Sequence, residues 1–358
     1  VLDARIVIVG AGLAGASTAY HLHQLGERSI ILLERERVAG VHASGRNAAL
    51  VRSRLGDAAL QPFASAGAHA IAHELPVPFR PVGSLLVGTG RPDEQVDVAS
   101  FVPAARGTGV HTPTDGVVDV AALLAHYLRG QDVRFSTTVH GWRPIEGGLE
   151  LDTDRGALRA GTVVNAAGAW AGVLGDLPLE PLLRHLFVTD PDPRVDPEWP
   201  FIWDVEHGLY FRPESGGLLI CPCDESRRTP GDYTERWGAF ELLVDKVDRL
   251  QPGLRAITRD LSIAHRWAGQ RTFAPDRRFV IGFDPRQPAL FWVAALGGHG
   301  VTTSWEVGRR AARLLLAAPA IPPGDVPSTT DDRARDAIAD PLSPARLAGA
   351  TAHTRRTL

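Results

Sequence analysis

Three glycines, Gly10, Gly12 and Gly15, and one carboxylate, Glu34, are spaced to hold a dinucleotide. Gly10 permits a tight turn. Gly12 lets a pyrophosphate approach the backbone, and Gly15 lets a helix pack close to a strand. The helix start around Leu13 and Ala14 offers free amides and a positive dipole end to phosphates. Glu34, with Arg35 beside it, falls where a carboxylate accepts from ribose hydroxyls, and it disfavours a 2′-phosphate. The glycines alone do not separate NAD from FAD.

The residues that follow favour FAD. After His42 comes Ala43-Ser44-Gly45-Arg46-Asn47-Ala48-Ala49. This run suits a loop and helix start that hold the rest of the diphosphate and the ribityl chain; a simple NAD domain would continue with another crossover helix. A mobile loop is the competing reading. Asn165 leads into Ala166, Ala167, Gly168 and, two residues on, Trp170. Small side chains there let a cofactor lie against the backbone, or let helix and sheet pack tightly. Val139, at the end of a strand candidate, is assigned to the same site. A later stretch holds Gly269 and Arg271, and Gly297-Gly298-His299-Gly300 then opens a helix through Val301 and Thr302. A helix start aimed at the flavin pyrimidine edge stabilises charge at N1 and O2 of reduced flavin. Arg271 either clamps a substrate carboxylate with its fixed fork or makes a surface ion pair.

These groups need a scaffold. Arg5 to Val9 is a continuous β-branched run, as in a parallel strand buried on both faces. With the glycine loop, a helix closing near Gly26 and a strand from Ser29 to Leu33, it makes a βαβ unit of about thirty residues. Residues 55–114 carry many prolines and one short strand candidate, Ser84 to Val87. A helix is expected from Asp119 to Leu128, and strands at Val133 to Val139, Leu149 to Leu151 and Thr162 to Val164. Antiparallel strands are expected at Leu186 to Thr189, Gly208 to Arg212 and Leu218 to Cys221. Tyr233 to Leu250 reads as helix in two pieces. Short strands at Phe279 to Gly282 and Phe291 to Leu296 precede a helix from Thr302 to Ala317.

Bulk properties narrow the class. The 358 residues suit about two domains. A net charge of −3 without a long basic run argues against a nucleic-acid partner. No run of about 18 apolar residues occurs, so no membrane span is expected, and the default location is cytoplasmic. Cys221 and Cys223 lie too close together for a useful cross-link. With no further ligands nearby they do not suggest a zinc site, and no metal is expected.

The runs IVIVGAGLAGASTAYHL, LLERERVAGVHASGRNAA, VVNAAGAW, GLYFRPE, HRWAGQRTFAPD, FWVAALGGHGVTTS and LSPARL occur in that order. Over most of residues 4–347 the chain resembles the D-amino acid oxidase-like family of FAD enzymes, and most of all its bacterial D-arginine and D-amino acid dehydrogenases. The resemblance implies hydride transfer from a substrate α-carbon to flavin N5, giving an imino acid that hydrolyses to a keto acid and ammonia. It implies that Arg271 and Tyr210 hold the carboxylate and that Arg184 makes a second contact to it. No protein general base is expected, because the amine need only be neutral when it reacts. His299 is the nearest titratable candidate, with a flavin-facing packing role as the alternative. Ser84 falls where the arginine enzyme grips a cationic side chain with glutamate, and Leu50 and Leu55 replace a histidine and a tyrosine of its active-site loop. These departures imply a more apolar pocket. Residues 91–100 look short for the family. Gly269 stands where sarcosine oxidase bonds its flavin through cysteine. His42 stands near where dimethylglycine dehydrogenase bonds through histidine, yet the arginine enzyme carries a histidine there without a bond. FAD is therefore expected to be non-covalent.

The expected fold is α/β (α+β overall). A discontinuous Rossmann-like FAD-binding domain takes 1–53, 115–175 and 263–330. A substrate domain with an antiparallel or mixed sheet takes 54–114 and 176–262, and a tail takes 331–358. The expected function is oxidation of a small amino acid, a D-amino acid first, with oxygen, a quinone or another acceptor taking the electrons. The alternatives are a secondary-amine (glycine- or sarcosine-like) or 2-hydroxy acid oxidase of the same superfamily, and a flavin-binding subunit without turnover.

Overall fold

The computed structural model describes residues 1–318 and 340–347; most of the expected tail 331–358 lies outside them. Ala4–Val9 is buried except at Arg5, as a central parallel strand requires. It pairs in parallel with Ile30–Leu33 on one side and Leu158–Asn165 on the other. Val133–Arg134 continues the parallel sheet beside Ile30–Leu33, and Gln287–Ala294 continues it beside Leu158–Asn165. The hairpin of Val139–Ile145 and Gly148–Thr153 and the strand Val280–Asp284 complete eight strands by antiparallel pairing. Apolar cores lie on both faces of this sheet. Each fully buried Val, Leu or Ile contributes about 1.5–3 kcal/mol, so packing on the sheet holds the ends of the glycine loop in place.

Helices Leu13–Gln24 and Gly300–Ala317 lie on one face of the sheet and touch along their length. Gln61–His73 packs on Gly300–Ala317 in turn. The sequence reading missed Gln61–His73 within the proline-rich texture of 55–114. Pro62 stands in its first turn, where no amide partner is needed, and so does not break it.

A second sheet has nine strands. Its order is Ser226–Arg227, Glu180–Thr189, Gly217–Cys221, Leu209–Glu214, Phe201–Asp204, Ser84–Val87, Thr108–Thr112 and Gln95–Asp97, and Ile263–Phe273 pairs with Glu180–Thr189. One face packs Leu85, Phe187, Phe211 and Ile220 against Leu243 and Val247 of helix Ala239–Leu250. The other face carries Leu186, Val188, Tyr210, Leu219 and Cys221. A small third sheet joins Leu50–Val51, Gly116–Val118 and Phe79–Arg80.

Several expected elements differ. Ile263–Phe273 belongs to the nine-stranded sheet, not to the parallel one that begins the 263–330 piece. The strand expected at Val133 to Val139 is broken: Ser136 has φ +50°, and the Thr137 amide turns back to the Glu34 carbonyl. The helix expected from Tyr233 begins only at Ala239. Residues 229–233 are held as a loop by buried Gln270, which accepts from the Gly231 amide and donates to the Thr229 carbonyl.

Candidate active site

A cavity of about 410 Å³ opens at the carboxyl ends of the parallel strands, where ligands bind in open α/β sheets. Its first wall is the glycine loop. Gly10 has φ +103°, and a Cβ there would sit 2.5 Å from the Ala166 carbonyl oxygen. A Cβ on Gly15 would collide with the Gly10 carbonyl, so the helix approaches its strand only with glycine there. Glu34 is buried and accepts from the amides of Ala11 and Glu36, each at 3.0 Å. Ser44 accepts from the Leu13 amide at 2.9 Å. Among the described residues no protein acceptor takes the amides of Gly12 and Ala14, both in the cavity wall. First-turn amides, a carboxylate one strand away and a floor of Ala166, Ala167 and Gly168 form a donor set that fits a dinucleotide.

Of the residues assigned to the cofactor from sequence, Gly10, Gly12, Leu13, Ala14, Glu34, Arg35, Ala43, Ser44 and Asn47 line the cavity. So do Val139, Ala166, Ala167, Gly168, Trp170, Arg271, Gly298, Gly300 and Val301. Gly15, Gly45, Arg46, Ala48, Ala49, Gly269, His299 and Thr302 do not. These shape the wall from behind. Arg46 lies over the Tyr233 ring at 4.4 Å and donates to the Val41 carbonyl. The Ala48 carbonyl accepts from Arg212 Nε at 2.8 Å, and Ala49 turns the chain at φ +59°. Asn47 Oδ1 accepts from the Ala49 amide, so its side chain also closes its own loop. Sequence reasoning missed Thr137, Thr138, His140 and Tyr233. Thr137 and Thr138 come from the break in the expected strand, His140 from the start of the strand Val139–Ile145, and Tyr233 from the loop that Gln270 holds; none leaves a local pattern. His42 lines the cavity with both ring nitrogens engaged, Nδ1 with Tyr233 Oη at 2.7 Å and Nε2 with Glu36 at 3.0 Å.

The face expected from sequence to take a substrate follows from strand register. In an antiparallel pair, opposed residues share a face, and every second residue returns to it. Leu182 opposes Arg271, Arg184 opposes Gly269, and Leu186 opposes Trp267. Tyr210 opposes both Trp203 and Cys221. Leu186, Tyr210 and Cys221 pack together with Trp203, Trp267 and Leu50 at their margin. Arg184, Arg271 and Tyr210 therefore share one face, and Gly269 leaves space between the arginines. Arg271 is 7% exposed, also lines the cavity, and donates to the Arg46 carbonyl at 2.9 Å. Arg184 pairs with Glu225 at 2.9 Å. Of the three expected pocket residues, only Leu50 offers a free apolar surface to this face. Ser84 is on the same sheet, but its hydroxyl donates to buried Asp115 at 2.6 Å. Leu55 packs instead on the core around Phe63 and Phe279.

The electrostatics limit what these groups can do. Burial, with Arg52 and Arg184 nearby, pushes the His299 imidazole down to about 3. It is neutral near pH 7, and a ring held so far below neutrality is poorly matched to proton transfer there. Burial holds the Tyr210 phenol well above its ordinary value, so Tyr210 acts as a neutral hydrogen-bonding group. Arg52, which the sequence reading did not single out, is also buried on this side. Among the described residues, no group of three or more His, Cys, Asp and Glu side chains could hold a metal ion, and no helix is long and apolar enough to cross a membrane.

Known proteins resemble this arrangement. The 4-methylaminobutanoate oxidase (formaldehyde-forming) of Paenarthrobacter nicotinovorans is 28% identical over 87% of this chain and 44% of its own length. Mitochondrial dimethylglycine dehydrogenase of Rattus norvegicus is 26% identical over 87% of this chain and 43% of its own length. The chain thus spans less than half the length of these relatives. Among solved structures, L-proline dehydrogenase from P. horikoshii has a TM-score of 0.79 at 19% identity, covering 96% of this chain and 98% of that one. At that identity the likeness is one of fold. These relatives do not single out the D-arginine dehydrogenase branch suggested by the sequence motifs. Residues 5–314 match the family described as DAO, FAD dependent oxidoreductase. The chain belongs to this family of FAD-binding flavoproteins.

Proposed function

We propose that this chain oxidises a small amino acid whose nitrogen is secondary, with Arg271 taking its carboxylate. The observation that carries this reading is the position of Arg271. It stands at once in the wall of the flavin cavity and on the shared face of the substrate sheet, with one acceptor among the described residues for its five N–H donors. A carboxylate bound there places the neighbouring C–N bond beside the flavin. FAD held here would supply the hydride acceptor for the carbon attached to the substrate nitrogen, and the C=N product would be hydrolysed by water. The glycine loop, Glu34 and the start of helix Gly300–Ala317 would hold the cofactor. Tyr210 and Arg184 orient the substrate, and Trp203, Trp267 and Leu50 exclude water from its other side. No side chain is needed as a base, since the amine reacts as the neutral form.

The secondary-amine reading is preferred to the D-amino acid reading because relatives over 87% of the chain are named for N-methylated amines, the secondary amine methylaminobutanoate and the tertiary amine dimethylglycine. Anaerobic mixing of the purified holoprotein with N-methyl amino acids, proline, paired D- and L-amino acids and 2-hydroxy acids tests it. Bleaching of the flavin by N-alkyl substrates ahead of primary amines supports the proposal. Faster bleaching by D-isomers restores the earlier reading, and a fully loaded flavin that nothing bleaches makes the chain a flavin-holding subunit.

A further inference from the structure

The strand Gly217–Cys221 ends at Cys221, and Cys223 follows just past Pro222. The chain bends back there. Cys223 has φ +50°, a left-handed conformation that a residue with a Cβ keeps only where its surroundings hold it. Its amide donates to Cys221 Sγ at 3.4 Å. Both side chains reach the apolar cluster that holds Tyr210, Trp203 and Trp267, and Cys221 opposes Tyr210 in the sheet. Two free thiols therefore lie together on the candidate substrate face. Cys221 is fully buried, whereas half-buried Cys223 opens the pair to solvent.

The bend is held on several sides. Lys246 Nζ donates to the carbonyls of His207, Gly208 and Pro222, at 2.8, 2.9 and 2.7 Å. Asp224 accepts from the His185 amide at 2.8 Å, and Glu225 pairs with Arg184 at 2.9 Å. A Cβ on Gly208 would lie 3.2 Å from Cys223 Cβ, so glycine leaves the thiol its place. Burial works against charge on Cys221, but the Cys223 thiol, Arg184, the Tyr210 hydroxyl and the Cys223 amide outweigh it and hold its thiol below the ordinary range. Contact with Cys221, and burial after it, push the Cys223 thiol up. The pair thus ionises as a unit, one sulfur as thiolate and the other as thiol. A bridge across a single residue closes a very short loop and gives the fold little stability. The same closeness suits a bond that forms and breaks. Neither cysteine lines the flavin cavity, so cofactor binding does not account for the arrangement.

We propose that Cys221 and Cys223 are an oxidation-sensitive dithiol on the candidate substrate face, which a hydroperoxide converts to a Cys221–Cys223 disulfide. The thiolate sulfur attacks the O–O bond of hydrogen peroxide, giving a sulfenic acid and a hydroxide that takes up a proton. The second sulfur then forms the S–S bond and displaces the sulfenic oxygen as water. In sum the two thiols lose two hydrogens, and one hydrogen peroxide becomes two waters. The new bond draws Cys221 Sγ toward Cys223 and out of its packing against Tyr210, so ligand binding on this face weakens. The modification does not depend on amine oxidation; its effect on binding rests on the reading of this face as the substrate side.

Peroxide treatment of the holoprotein at pH 7 tests both parts. The sequence has two cysteines and no methionine, so no thioether competes for the oxidant. Intact mass falls by two hydrogens, peptide mapping places the link between Cys221 and Cys223, and dithiothreitol reverses it. Cys223→Ser stops instead at a sulfenic acid on Cys221, which dimedone captures. Binding of (methylthio)acetate, followed by the flavin absorbance shift, weakens at least about 10-fold on oxidation, roughly the loss of one hydrogen bond to a charged group. It recovers with dithiothreitol, and in Cys223→Ser oxidation changes it by less than about 3-fold. Thiols that stay reduced where a peptide of residues 219–225 is oxidised, or that add oxygen without linking, overturn the dithiol. A disulfide that forms and leaves ligand binding unchanged overturns its effect on the face. If the link forms but no amine bleaches the flavin, the modification site stands and amine oxidation fails.

Discussion

If Arg271 is the carboxylate clamp, its removal must cost more for a substrate with a carboxylate than for one without. The side chain is buried, and one of its donors serves the Arg46 carbonyl at 2.9 Å, leaving a free edge for two parallel bonds to a carboxylate. Hydrogen bonds to charged groups contribute about 1.5–3 kcal/mol each. Arg271→Lys keeps the charge but loses the fork, and so loses about one such bond, roughly 10- to 150-fold in the efficiency of flavin reduction. Arg271→Met loses both bonds, on the order of 100-fold or more. The assay is anaerobic stopped-flow reduction with sarcosine and with sarcosinamide, its neutral amide. In wild type the acid reacts far better than the amide, and in Arg271→Met the two converge. A structural role predicts equal losses for both substrates. A coupling between mutation and substrate change near zero therefore refutes the clamp, even if both rates collapse.

Three further predictions follow from the geometry. Gly15→Ala places a methyl group against the Gly10 carbonyl, so the Kd of the variant for FAD rises at least about tenfold, a loss of about 1.4 kcal/mol or more; an unchanged Kd would show that the helix can shift to admit it. Burial and the neighbouring arginines keep His299 near 3, so it holds no proton to lose between pH 5 and 9. The pH profile of flavin reduction then has one rising limb, set by the substrate amine, and its midpoint stays in place in His299→Asn; a midpoint that moves by about a unit assigns the titration to His299. For Asp224, burial works against the charge, but hydrogen bonds from the ring and amide of His185 outweigh it and hold the pKa below the ordinary value. A depressed folded pKa stabilises above the unfolded pKa of about 3.9 and is lost as pH falls through the folded value. Urea midpoints measured from pH 7 to 3 should therefore drop in wild type and drop less in Asp224→Asn. Parallel curves would remove Asp224 from the acid-sensitive groups.

The parts of the site legible in the sequence are those built within a short stretch of chain. A β-branched strand, a glycine turn, a helix start and an acid after the next strand interact through neighbours in sequence. The residue types alone therefore pointed to Gly10, Gly12 and Glu34, and all three line the cavity. The expected helix from Asp119 was equally local, since Asp119 accepts from the Ala122 amide as its cap. Other parts depended on pairing between distant segments. Arg184 and Arg271 share a face only because Glu180–Thr189 and Ile263–Phe273 pair in one register; a slip of one residue would turn either side chain to the opposite face. Tyr233 reaches the cavity because Gln270, on another strand, holds its loop. His299 looked titratable by type, and only its surroundings made it a neutral ring. The sequence by itself determined the glycine loop of the cavity, since hydrogen bonding and sterics there are local. The tertiary structure decided the candidate substrate face, since side-chain facing is set by which strands meet.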